Sequence, residues 1–286
     1  MVEARVRLRF GQESDGPSSV DLAKAPLLPD GLGMRKWMFL GLTVLLSSSL
    51  VTNILLYQLS RLAFLRYNAV LLDPLGLKEY SQTSSIDDLD RMKRRIVFFG
   101  DSRAEMWPPP RILPDSGTVY FNLGIGSQTT AQMALRFERH VSLLRPHVVI
   151  LHAGMNDLRT VAMFPDRRDE IVKDCEEHFR QIISLARQQK AFVLVTTIFG
   201  IGDIPLQWKP FWSNEIQRAI DEVNHFLLNL NQEGVMVWDV RPLLEERGNP
   251  GHIKREYRSG LDHLNAQGYE ALNQVLLGML NGKLGE

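Results

Sequence analysis

The sequence predicts an α/β protein of three layers, a mostly parallel central sheet between helices, preceded by a single transmembrane helix. Three observations predict it. Apolar runs at 95–99, 118–122, 147–152, 191–197 and 234–239 have the length and the β-branched or aromatic content of strands. Segments between and after them repeat apolar residues at three- and four-residue steps, the period of a half-buried helix. Upstream, Trp37 to Ser60 contains no charged residue. Strands that are apolar throughout and alternate with helices imply a parallel sheet covered on both faces.

Residues 1–33 mix Gly, Pro, Ser and both charge signs, and read as a polar tail that includes the Arg5, Arg7, Arg9 alternation. Residues 34–61 read as the anchor. Its uncharged stretch would be about 36 Å long as a helix, enough for a hydrocarbon core of roughly 30 Å. Trp37 and Tyr57 lie near its ends, where amphipathic rings favour the membrane interface. A cleaved signal peptide would have a shorter apolar part and begin nearer residue 1. A buried core helix is the other alternative. Basic residues are balanced across the segment, with Lys24, Arg35 and Lys36 before it and Arg61, Arg66 and Lys78 after it. The adjacent Arg35–Lys36 pair places the amino side in the cytoplasm and the later domain outside it. Residues 62–92 read as a juxtamembrane linker, and 93–286 as the folded domain. The basic cluster 91–95 reads as a solvated strand entrance.

Within the domain, Ile171, Val172, Cys175, Phe179, Ile182, Ile183 and Ala186 mark one helix. Ile216, Ala219, Ile220, Val223, Phe226, Leu227 and Leu230 mark a second, and Tyr269, Leu272, Val275, Leu276 and Met279 a closing one. Lys plus Arg and Asp plus Glu both number 33 in 286 residues. A chain without basic surplus gives no reason to expect a nucleic-acid partner. The single cysteine, Cys175, lies on the apolar side of its helix and reads as core.

Polar clusters follow three of the strands: Gly100-Asp101-Ser102, then Asn122 to Thr130, then Gly154-Met155-Asn156-Asp157. Asp262-His263-Leu264-Asn265 precedes the last helix. In such a sheet ligands gather beyond the carboxyl ends of the strands. These residue types meet the needs of acyl transfer: Ser102 as nucleophile, His263 as base, and oxyanion donors from the Ser102 N–H, the Gly126–Ser127 turn and the Asn156 amide. No metal and no cofactor is called for. The alternative for Ser102 is a helix N-cap, and the nucleophile is the reading adopted. Asp101 and Asp157 read as structural, His152 as a core histidine, and Trp208, Phe211 and Trp212 as packing rather than a pocket wall. Gly124-x-Gly126 is not a dinucleotide fingerprint, since the third glycine position is Thr129.

The four clusters, in this order, resemble the blocks of the SGNH hydrolases, or GDSL-type esterases and lipases, over roughly residues 95–282. The resemblance implies an SGNH, flavodoxin-like fold and a serine esterase, which with the anchor read from residues 34–61 makes a membrane-anchored one. Its substrate would be a small acyl ester, an O-acetyl ester on a glycan or a lysolipid, with membrane lipid as the anchor's partner. The chain departs from the family at two places. Ser127 stands where the second block usually has glycine. Gly260 stands where an aspartate usually orients the histidine, which leaves the adjacent Asp262, a backbone carbonyl, or nothing for that role. Neighbouring side chains in an extended segment point opposite ways, so Asp262 is not expected to reach the ring unless it lies in a tight turn. A membrane-tethered binding or assembly protein without an orienting acid is therefore one alternative, and an acyltransferase another.

Overall fold

The computed structural model describes residues 31–80, 93–111 and 117–281. The tail to residue 30, with its arginine alternation, and residues 81–92 of the expected linker lie outside the described residues. Two compact units divide the chain, Met1–Arg66 and Tyr67–Glu286.

The described part of the first unit is all helix and belongs to α1 (Gly31–Leu72), which continues past residue 61, where the expected anchor ends. It is long and apolar enough to cross a membrane. Its polar side chains are satisfied within the helix: Thr43 Oγ1 donates to the Phe39 carbonyl at 2.8 Å, and Asn53 Nδ2 to the Ser49 carbonyl at 2.8 Å. Such back-bonding hides the hydroxyl and amide from an apolar surrounding.

The second unit begins at Tyr67, so it takes in residues that the sequence reading gave to the linker. Its sheet contains β1 (Arg94–Gly100), β2 (Thr118–Gly124), β3 (Val148–His152), β4 (Phe192–Thr196) and β5 (Val235–Trp238). The order is β2-β1-β3-β4-β5 and every pairing is parallel. Between them run α2 (Ser102–Glu105), α3 (Thr130–His140), α4 (Met155–Leu158), α5 (Arg168–Gln188) and α6 (Asn214–Leu228). Two short antiparallel ribbons follow, β6 (Glu245–Glu246) with β7 (Asn249–Ile253) and β8 (Arg258–Ser259) with β9 (His263–Leu264). The chain closes with α7 (Ala266–Asn281).

The pleat sorts the core into two layers. Val97 and Phe99 of β1 pack with Phe137 of α3, Phe179 of α5 and Ile220 of α6. Ile96 and Phe98 face the other way, onto Trp107 and onto Tyr269, Leu272 and Leu276 of α7. Alternate strand residues thus feed opposite helical layers, which is why the strands read as unbroken apolar runs. The strand order reverses between β1 and β3, and that reversal opens a crevice at their carboxyl ends. The expected strands are all present within two residues. The third helix of the first layer, α3, carries too many polar residues for its period to stand out. Its Arg136 and His140 are buried nonetheless.

Candidate active site

β1 ends at Gly100, and Asp101 caps α2: its Oδ1 accepts from the Arg103 N–H at 2.9 Å. Ser102 is therefore the first helical residue and not the cap. Gly124 lets α2 lie against β2, since a Cβ there would come within 2.1 Å of the Glu105 nitrogen. At the far end of the chain, the β8–β9 hairpin turns through Gly260, Leu261 and Asp262. Gly260 has φ +70°, a conformation that a side chain disfavours, and it lets the hairpin turn tightly. The turn carries His263 to Ser102, with Nε2 and Oγ 2.9 Å apart. It also swings Asp262 back toward the same ring, with Oδ1 at 3.1 Å from Nδ1. The extended geometry expected for these neighbours does not apply, because Asp262 lies in the turn and only His263 begins the strand.

Burial would raise the Asp262 carboxyl, but the His263 hydrogen bond and the Arg103 charge outweigh it and hold it below its ordinary value. Arg103, fully buried beside Ser102, fixes the hairpin. Its guanidinium donates to the carbonyls of Asp262 at 2.7 Å, Phe199 at 2.7 Å and Gly200 at 2.9 Å, and stacks 3.9 Å from the Phe199 ring centre. Three carbonyls met by one planar fork suit arginine and not lysine. A charged residue in a short helix carries no sequence signal of this, and sequence reasoning missed it.

Gly126 and Ser127 form the corner of the turn after β2, where the Gln128 N–H donates to the Ile125 carbonyl at 3.4 Å. A Cβ on Gly126 would sit 3.8 Å from Ser102 Cβ, so the turn borders the serine. Ser127 has φ +64°, the left-handed conformation that the usual glycine takes without cost. Asn156, buried at the start of α4, gives one amide hydrogen to the Gln128 carbonyl at 2.9 Å. The structure thus gathers Ser102, His263, Asp262 and Gly126, and ties Asn156 to the same turn.

Asp157 accepts from the Thr130 N–H at 3.0 Å and from its hydroxyl at 2.6 Å, a structural link to α3. His152 is buried, bonded to the Thr196 hydroxyl and stacked on Phe199, and burial holds it well below its ordinary pKa. Cys175 is buried, with its thiol pushed up by desolvation. Trp208, Phe211 and Trp212 are not merely packed. They wall a cavity of about 350 Å³ that reaches Arg159, Leu261 and Asp262, and Trp208 and Phe211 are exposed.

Asp101 is buried with Oδ2 unpartnered, and desolvation pushes its pKa up to about 6 from 3.8. Between those values the folded carboxyl keeps a proton that the unfolded one has lost, so stability falls as pH rises from about 4 to about 7. The penalty at pH 8 is on the order of 3 kcal/mol. Asp101→Asn keeps the capping oxygen and is expected to gain stability over wild type across that range. Urea unfolding at pH 4 and pH 8 measures it, and a difference independent of pH would contradict the assignment.

A model of the GDSL-like lipase/acylhydrolase family matches residues 98–271. The chain belongs to that family. The GDSL-like family's members are carboxylic ester hydrolases, and the four polar clusters fall within the matched region. Among solved structures, a GDSL-like lipase from Bacteroides thetaiotaomicron aligns with TM-score 0.54 at 19% identity, over 72% of this chain and 98% of its own. A candidate platelet activating factor from Streptococcus pneumonia aligns with TM-score 0.60 at 22% identity, over 77% and 99%. The acetyl xylan esterase AlAXEase aligns with TM-score 0.51 at 20% identity, over 65% and 99%. These likenesses concern the fold. No curated protein matches the chain significantly.

Proposed function

We propose that this GDSL-like chain is a serine esterase, anchored by α1, that removes an acyl group such as an O-acetyl group from a glycan. One observation carries the reading: Ser102 Oγ lies 2.9 Å from His263 Nε2, with Asp262 on the ring's other nitrogen. In the first step Oγ bonds to the ester carbonyl carbon while its proton passes to Nε2. The oxyanion takes hydrogen bonds from the N–H groups of Ser102 and the Gly126–Ser127 turn and from the second amide hydrogen of Asn156. Collapse breaks the bond to the leaving alkoxide, which takes the proton from Nε2. Water then repeats the sequence on the acyl-serine, releasing the carboxylic acid and free Oγ–H. The binding-protein alternative drew on a missing orienting acid, and Asp262 supplies one.

His263 must protonate the leaving alcohol, so that alcohol lies on the histidine's side of the ester. The aromatic cavity opens there, beside Leu261 and Asp262. At about 350 Å³ it is at the small end of ligand pockets, the size for a single sugar ring packed on indole faces. An acetyl xylan esterase among the fold relatives accords with this. For the anchor, the most apolar window of α1 is 0% buried, unlike a core helix. The Arg35–Lys36 pair favours the esterase domain outside the cytoplasm.

The test is covalent labelling of the detergent-solubilised full chain with a fluorophosphonate, followed by peptide mapping. A single phosphonyl adduct on Ser102, slowed by an acetylated oligosaccharide, is expected. Folded protein that takes no label, or carries it elsewhere, would sink the reading.

A further inference from the structure

Residues 73–80, just after α1, are held against the turn that follows β2. Tyr80 Oη donates to the Gly124 carbonyl at 2.5 Å. Gln128 Nε2 donates to the Leu75 carbonyl at 2.8 Å, and Gln132 Nε2 to the Pro74 carbonyl at 2.6 Å. The Tyr80 ring meets His140 edge-on at 5.5 Å. The segment is folded in its own right: the Asp73 carboxylate accepts from the N–H groups of Leu77 at 2.8 Å and Lys78 at 3.0 Å. Gly76, with φ +65°, passes so close that a Cβ would stand 3.0 Å from Ile125 and 3.3 Å from Gln128 Nε2.

Gln128 is the junction. It is 4% exposed, and every polar group of its side chain and its carbonyl is engaged. Its Oε1 accepts from Arg136, whose Nη2 donates to the Gly100 carbonyl at 3.1 Å. Its backbone carbonyl holds the Asn156 amide. One hydrogen-bonded chain therefore runs from Leu75 through Gln128 to Asn156, past Gly126 and Ser127. Ser127 sits in a disfavoured conformation, and such a turn keeps its shape only when its surroundings over-determine it.

We propose that residues 73–80 are a brace that positions the Gly124–Gln128 turn and the Asn156 amide, so that the segment joining α1 to the domain sets the strength of the oxyanion donors. The inference rests on the esterase reading of that turn. Tyr80 and Gly76 are positioning residues and touch no reacting atom. A donor moved out of line weakens only the transition state, so turnover falls while substrate binding holds.

The test compares wild type, Tyr80→Phe and Gly76→Val as full chains in detergent. Tyr80→Phe keeps the aromatic ring and removes the hydroxyl that bonds Gly124. Its kcat for p-nitrophenyl acetate is expected to fall roughly three- to tenfold with KM within about twofold, and Gly76→Val to fall further. Amide exchange over residues 124–129 is expected to quicken by about tenfold in both, with β3 and β4 unchanged. Unchanged exchange over 124–129 in Gly76→Val overturns the brace, as does faster exchange with kcat unaltered. If wild type shows no turnover that depends on Ser102, the esterase reading fails, and exchange still decides whether 73–80 brace the turn.

Discussion

Ser102→Ala is expected to abolish ester turnover, with kcat falling on the order of 10⁶-fold, as when a triad nucleophile is removed. Under the proposed mechanism the variant loses the oxygen that attacks the ester, which lies 2.9 Å from Nε2 of His263. The fold has little need of that hydroxyl. Asp101, not Ser102, caps α2, and alanine is the better helix former. Melting temperature is therefore expected to stay within about 4 °C of wild type, which corresponds to under roughly 1 kcal/mol. The assay is p-nitrophenyl acetate hydrolysis by the detergent-solubilised full chain. Variant and wild type turning over at equal rates would remove Ser102 as nucleophile, whatever the 2.9 Å separation suggests.

Asp262→Asn is expected to lower kcat by about 10⁴-fold while leaving the hairpin in place. The amide has no negative charge to stabilise the imidazolium formed when His263 takes the serine proton. It can also offer Nδ1 a hydrogen in place of a lone pair, which turns the ring to the wrong tautomer. The hairpin keeps its tie to Arg103, which donates to the Asp262 backbone carbonyl at 2.7 Å, although the buried guanidinium loses the charge of the carboxylate beside it. A deficit that persists at every pH from 6 to 9, in protein still folded at the assay temperature, separates loss of the orienting acid from loss of structure. A fall of less than about tenfold would mean that Asp262 is a bystander and that the Ser–His pair works without a third member. The comparison is informative for this chain because Gly260 stands where the family resemblance implied an orienting aspartate.

The sheet was legible because burial on both faces leaves a strand's middle little room for polar residues: β1, β3 and β4 carry the apolar runs 96–99, 148–151 and 192–195. Helices α5 and α6 were legible for the opposite reason, one face being apolar and one polar. Ser102, Asn156 and His263 could be picked out because each belongs to a short cluster at an element's end. Arg103, Gln128 and Tyr80 could not. Each resembles a solvated or ordinary residue in sequence, and each acquires its part from a partner far along the chain, Asp262, Leu75 and Gly124 respectively.

What the linear order of residues determined by itself was the layered α/β class, the helix able to cross a membrane, and the set of groups available for acyl transfer. These follow from periodicity and residue chemistry, which are local. Tertiary structure alone decided that Asp262 reaches the imidazole, that the aromatic cluster walls a cavity, and that residues 73–80 lie against the turn after β2. Those outcomes depend on the sign of φ at Gly260 and Gly76 and on contacts between segments remote in the chain, and neither quantity leaves a periodic trace in the sequence.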